Sequence, residues 1–114
     1  MTVIYGIKNC DTMKKALSWL TENHIEFVFH DYRKDGITTE NIERWITHFG
    51  WEQVINKRGT TWRSLDEKTK VNMNDQQAIV CALENPAIIK RPLLIKEDKH
   101  IIGFSIKSYE AFFV

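Results

Sequence analysis

Val3-Ile4-Tyr5-Gly6-Ile7-Lys8-Asn9-Cys10-Asp11-Thr12-Met13-Lys14-Lys15-Ala16 lies near the start of the chain and decides how the rest is read. A β-branched and aromatic run gives way to Gly6 and a polar turn. Met13, Ala16, Leu17 and Leu20 then recur at i, i+3, i+4 and i+7, the spacing of one helix face. Cys10 therefore falls where a strand hands over to a helix, with Asp11 or Thr12 as the expected cap. Helix-start amides and the positive end of the helix dipole favour a thiolate at such a junction, and Lys8 and Lys14 add positive charge. On position alone two readings stand open. Cys10 is either a nucleophile at neutral pH or a small apolar residue packed under a turn.

Working outward, the first helix is expected from about Thr12 to about Asn23, and Phe27-Val28-Phe29-His30-Asp31 reads as a second strand. That strand is apolar on both faces, which predicts an interior position in the sheet. Strand, helix and strand in so few residues predict a right-handed parallel βαβ unit. From Thr38 to about Asn85 the chain reads helical, with Ile42, Trp45, Ile46 and Phe49 as one stripe, Thr38 as cap and Gly50 as stop. A further helix is expected to be capped by Asp75 and closed by Pro86. Trp45, Trp51 and Trp62 are read as the core of this helical segment. Strand period returns in Leu93-Leu94-Ile95 and His100-Ile101-Ile102-Gly103-Phe104, which predict an antiparallel hairpin. Ser105 then caps a last helix bearing Ile106, Tyr109, Phe112 and Phe113. The order βαβ, helical segment, ββα predicts an α/β fold with a four-stranded mixed sheet and helices on its faces.

A net charge of +1 argues against a bulk electrostatic grip on nucleic acid, so no direct nucleic-acid partner is expected. Two cysteines without a disulfide pattern suit a reducing compartment. The N-terminus reads straight into a strand, and no apolar run approaches the ~20 residues of a membrane span. A cytoplasmic protein without membrane attachment is expected, and a monomer. His24, His30, His48 and His100 are scattered without ligand spacing, so no metal is expected.

Two further stretches carry candidate chemistry. Pro92 marks the start of a strand, and Arg91 before it has the planar fork that grips carboxylates and oxyanions. Lys57, Arg58 and Arg63, interleaved with Thr60 and Thr61, form either an anion pocket or a solvated helix flank. Together, Gly6-Ile7-Lys8-Asn9-Cys10-Asp11-Thr12, His30-Asp31-Tyr32-Arg33, Arg58-Gly59-Thr60-Thr61-Trp62 and Ile89-Lys90-Arg91-Pro92-Leu93 resemble the arsenate reductase (ArsC)/Spx superfamily, and within it the YffB-like branch. The resemblance covers essentially the whole chain. It implies a thioredoxin-like domain over 1–33 and 86–114 with an all-helical insert over 34–85. It also implies that Pro92 is a cis-proline facing Cys10 and that Arg91 points at the sulfur.

The departures from the family pattern bear on function. Arsenate reductases of the superfamily surround the oxyanion with a cysteine and three arginines. Here Cys10 and Arg91 match, Asn56 stands in the place of the insert's arginine with Arg58 two residues later, and Gly103 stands where the third arginine is expected. Disulfide-switch Spx regulators carry Cys-x-x-Cys, whereas Met13 holds the second position here. The resemblance therefore implies a single-thiol reductase that uses glutathione as co-substrate on a small or protein thiol substrate, with no bound cofactor. In that reading Cys10 is the nucleophile, and Arg91, Pro92, Lys8, Asn9, Thr12 and Arg58 bind substrate or glutathione. The alternatives are an Spx-like adaptor that docks on RNA polymerase without catalysis, and an arsenate reductase with an incomplete oxyanion pocket.

Overall fold

The computed structural model describes all residues from Met1 to Val114. They form two compact units: Met1–Asp35 with Arg91–Val114, and Gly36–Lys90. The first unit holds β1 (Thr2–Gly6), α1 (Asp11–Glu22), β2 (Phe27–Asp31), β3 (Leu93–Lys96), β4 (Lys99–Ile102) and a last helix (Ile106–Phe112). These strands make one mixed sheet in the order β2-β1-β3-β4, a thioredoxin-like arrangement. β1 runs parallel to β2, with Thr2 opposite Phe27 and Gly6 opposite Asp31. β3 is antiparallel to β1, with Tyr5 opposite Leu93, and β4 is antiparallel to β3.

The central strands β1 and β3 supply Ile4 and Leu94 to the core, where they meet Met13, Ala16 and Leu20 of α1 and Tyr109 of the last helix. All six are fully buried. β2 lies at an edge of the sheet rather than in its interior, and Val28 is 49% exposed. Its two-sided apolar pattern has a different cause. Phe27 and Phe29 pack onto the core from one face, while Val28 on the other has no covering layer. The hairpin turn is shorter than expected, only Glu97-Asp98, with Glu97 in the left-handed region at φ 55°.

The second unit holds α2 (Thr39–Phe49), α3 (Trp51–Val54), α4 (Thr60–Arg63), α5 (Glu67–Val71) and α6 (Asp75–Glu84). The last helix of the first unit is thus α7. A capping box at Thr38 and Asn41 starts α2, and the Ser105–Ser108 pair does the same for α7. Asn74, not Asp75, caps α6: its Oδ1 accepts the Gln77 N–H at 2.9 Å, which places Asp75 inside the first turn. Trp45 is fully buried, but Trp51 and Trp62 are not core residues. They are half-buried and stacked, ring centroids 6.3 Å apart, with the Lys57 ammonium 4.8 Å from the Trp51 centroid. Pro86–Lys90, expected with the sheet, packs in the helical unit because Asn56 N–H donates to Ile88 O and Lys90 N–H to Val54 O, both at 2.8 Å.

Candidate active site

Strand direction brings four loops of the first unit to one end of its sheet. β1, β2 and β4 point one way and β3 the other. Ile7–Cys10, the turn after Asp31, Arg91-Pro92 and Gly103 therefore emerge together, at the carboxyl ends of the parallel strands where α/β sheets place ligand sites. Two backbone bonds tie the group: Tyr32 N–H to Gly6 O at 2.9 Å, and Gly103 N–H to Pro92 O at 2.8 Å. The Arg91-Pro92 peptide is cis, and Pro92 is buried.

Cys10 is itself the N-cap of α1, in place of the expected Asp11 or Thr12. Its backbone is extended (φ −140°, ψ 127°), and its carbonyl accepts the first helical bond, from Lys14 N–H at 3.0 Å. No side chain caps this end. A serine or aspartate there would occupy a first-turn amide, whereas Cys10 leaves those amides without a side-chain partner. The residue is half-buried against the core cluster, while Lys8, Asn9, Asp11 and Thr12 on either side are exposed.

Arg91 is half-buried and Tyr32 is 2% exposed. Burial raises the Tyr32 phenol well above its ordinary range; the Arg91 guanidinium opposes this and nearby Tyr5 adds to it. The Arg91 charge therefore sits beside a neutral phenol. Tyr5 stacks on Tyr32 with centroids 6.5 Å apart and tilts against His30 at 4.8 Å. Asp31 is committed to its own turn: Oδ1 accepts Arg33 N–H at 2.8 Å and Lys34 N–H at 3.4 Å. This carboxylate is thus a structural group rather than a base. Tyr32 enters the sequence reading only within the His30–Arg33 motif and with no site role, since its tie to Arg91 spans the sheet.

The positions that depart from the family pattern have their own structural roles. Met13 is fully buried, and a Cβ built on Gly6 would overlap its Sδ and lie 2.8 Å from its Cε. Position 13 thus belongs to the core, braced on a bare strand backbone. Gly103 has φ 83°, the left-handed region that side chains disfavour. In the helical unit, Asn56 Oδ1 accepts the Arg58 N–H at 3.1 Å, an Asx turn that occupies the side chain. Lys57 pairs with Glu52 at 3.2 Å, and Arg63 Nη2 donates to Arg58 O at 2.7 Å. Arg58 is exposed and lines a cavity of about 340 Å³ with Lys90, Gln53 and Asn56, all within that unit. The chain holds no cluster of three His, Cys, Asp or Glu able to bind a metal, and no helix long and apolar enough to cross a membrane.

A profile of the ArsC family matches residues 5–112. The chain belongs to the ArsC family. Within the ArsC/Spx superfamily it falls in the YffB-like branch. A solved YffB protein is 43% identical, covers 100% of both chains and superposes with a TM-score of 0.95. An arsenate reductase (ArsC) related protein from Brucella melitensis is 44% identical over 98% of this chain and 93% of its own, with a TM-score of 0.82. The global transcriptional regulator Spx 2 of Lactococcus lactis is 29% identical, covering 98% of this chain and 86% of the regulator. The ArsC family thus joins reductase-related proteins and regulators on one scaffold.

Proposed function

We propose that this chain is a glutathione-linked thiol reductase working through Cys10 alone. The observation that carries the reading is a cysteine in the N-cap of α1, with no side-chain competitor for the helix-start amides. Arg91 and Pro92 lie at the same sheet end. Family membership supports thiol chemistry, and the buried Met13 supports a cycle without a neighbouring resolving thiol.

In the proposed cycle the Cys10 thiolate attacks the glutathione sulfur of a mixed disulfide, R–S–S–G. The Cys10–glutathione disulfide forms as the S–S bond of R–S–S–G breaks, and the leaving R–S thiolate takes a proton from water. A second glutathione thiolate then attacks the glutathione sulfur of the adduct, releasing glutathione disulfide and the Cys10 thiolate. Arg91 supplies the cation for a glutathione carboxylate, with Lys8, Asn9 and Thr12 on the exposed approach. Exchange of this kind needs an accessible sulfur and a thiolate at ambient pH.

The test is mass spectrometry after exposure to glutathione disulfide. One added glutathione on wild type and on Cys81→Ser, absent from Cys10→Ser, is expected. Loss of two hydrogens with no added mass, dependent on both cysteines, would overturn the single-thiol cycle. A second reading, an Spx-like adaptor docking on RNA polymerase, is favoured by the likeness to Spx regulators. Stoichiometric recovery of polymerase with Cys10→Ala protein would support it. Arsenate reduction is disfavoured, since the Asn56 side chain is committed to its turn and Gly103 carries no side chain.

A further inference from the structure

A groove of about 360 Å³ runs along α1 on the face that begins one turn after Cys10. Lys14 and Lys15 stand at the end nearer the thiol, Trp19 lies midway, and Glu22 closes the far end. Phe104 and Ile106, where β4 leads into α7, form the opposite wall. The apolar walls are fixed in place. Trp19 and Phe104 both pack edge-on against buried Tyr109, with centroids 5.6 and 4.7 Å from it. Ile106 is 58% exposed. Lys14 and Lys15 are exposed and take part in neither the Lys57–Glu52 nor the Lys70–Glu67 ion pair.

Lengths decide what fits. At the ~1.5 Å rise of a helix, Lys14 lies about 6 Å from Cys10 along the axis, Trp19 about 14 Å and Glu22 about 18 Å. An extended chain covers ~3.3 Å per residue, so a tripeptide anchored at the thiol ends before the far side of the groove. An extended segment of about five or six residues spans it. The charges favour a carboxylate on the segment near the lysines, and the walls favour a large apolar side chain beyond it.

We infer that this groove receives the polypeptide bearing the oxidised cysteine, making the substrate a glutathionylated protein rather than a small disulfide. The inference rests on the glutathione-linked reading of Cys10. The preferred segment places an acidic residue about two positions from its cysteine and a bulky apolar residue about four from it. Cys10 attacks the glutathione sulfur of the mixed disulfide, and the substrate leaves as its thiol. The second glutathione then takes the adduct away as the disulfide, so electrons and protons balance as in the cycle above.

The test uses two fluorescein-labelled seven-residue peptides, one with glutamate and leucine at those positions, the other with lysine and serine. With the peptide thiols methylated, binding to Cys10→Ser protein is read by anisotropy. As glutathione mixed disulfides, the same peptides are turned over by wild type. The acidic peptide is expected to bind and react about tenfold better, a preference two exposed charge contacts and one apolar contact can supply. Lys15→Glu and Ile106→Asp should each erase most of that preference while leaving turnover of the mercaptoethanol–glutathione mixed disulfide unchanged. Equal binding of the two peptides overturns the groove, whatever the small disulfide does. Preference for the acidic peptide with no turnover of any disulfide keeps the groove and overturns the reductase cycle.

Discussion

Gly6→Ala tests the packing beneath the candidate site. Gly6 has no positive φ, so alanine meets no backbone objection, and stiffening the unfolded chain would by itself stabilise by about 0.4–1 kcal/mol. The new methyl, however, would overlap Met13 Sδ and come 2.8 Å from its Cε and 3.2 Å from its Cγ, where ordinary contact begins at 3.4 Å. Met13 is flexible but fully buried, with Ile4, Leu20, Leu94 and Tyr109 in the same cluster, so its end has no free volume to enter. Overpacking of this kind costs about 1–3 kcal/mol, which outweighs the entropic gain. Met13→Ala alone should cost about 2–5 kcal/mol through the cavity it leaves. In the double variant the Gly6 methyl fills part of that cavity, so its loss should fall short of the two single losses added together by about 1 kcal/mol or more. Urea unfolding followed by far-UV circular dichroism measures all three variants. A Gly6→Ala protein as stable as wild type, or additive energies in the double variant, would refute the reasoning.

Arg91→Ala should lower kcat/KM for glutathione mixed disulfides by about tenfold to a hundredfold, the worth of one charged hydrogen bond, with Arg91→Lys recovering part of it; unchanged kinetics would remove the residue from the site. Cys81 should alkylate slowly with iodoacetamide at neutral pH, because burial and then Glu84 raise its thiol; its rate should climb in alkaline buffer, while the fast phase disappears in Cys10→Ser. Asp66 caps α5, and its bonds from Thr69 lower its carboxyl pKa, so the cap stabilises above the unfolded carboxyl pKa and fades as pH falls through the folded one. Asp66→Ala should therefore speed hydrogen exchange in α5 at pH 7, and the difference from wild type should shrink as pH falls through the lowered carboxyl pKa.

Much of the architecture was legible in the residues, for identifiable reasons. The switch from period 2 at Val3–Tyr5 to the helical spacing of Met13, Ala16 and Leu20 marks β1 and α1, and all three helix residues are buried. Thr38 and Ser105 announce α2 and α7 because their hydroxyls accept bonds within three residues. What escaped depends on partners remote in sequence. Phe27-Val28-Phe29 records that apolar side chains point both ways, but only the pairing of β1 with β3 across the insert leaves β2 at the edge. Trp62 was read as core, yet it stacks on Trp51 beneath a lysine that pattern alone does not bring there. At the candidate site the thiol, the arginine and the proline were visible as residue types. That the thiol sits in the cap itself, rather than one residue before it, is a matter of φ and ψ. The influence of Arg91 on Tyr32 likewise depends on the sheet order, which sets the start of β3 and the end of β2 on either side of β1.

The pairing of β1 with β3 has a consequence for the order in which the molecule assembles. Thr2 lies opposite Lys96 and Tyr5 opposite Leu93, so the middle of the sheet joins stretches almost ninety residues or more apart in the chain. Forming that ladder from an unstructured chain means closing a very long loop, and such non-local pairings slow folding. Gly36–Lys90 is compact in its own right and lies wholly inside the loop. Collapse of those residues first would replace most of the flexible chain with a solid body, shortening the search that β1 and β3 must make. In that order of events the helical insert would act as a folding aid for a sheet to which it contributes no strand. Core variants in that unit, at Ile42 or Ala82, should accordingly slow the refolding of the sheet as well as weaken the helices around them.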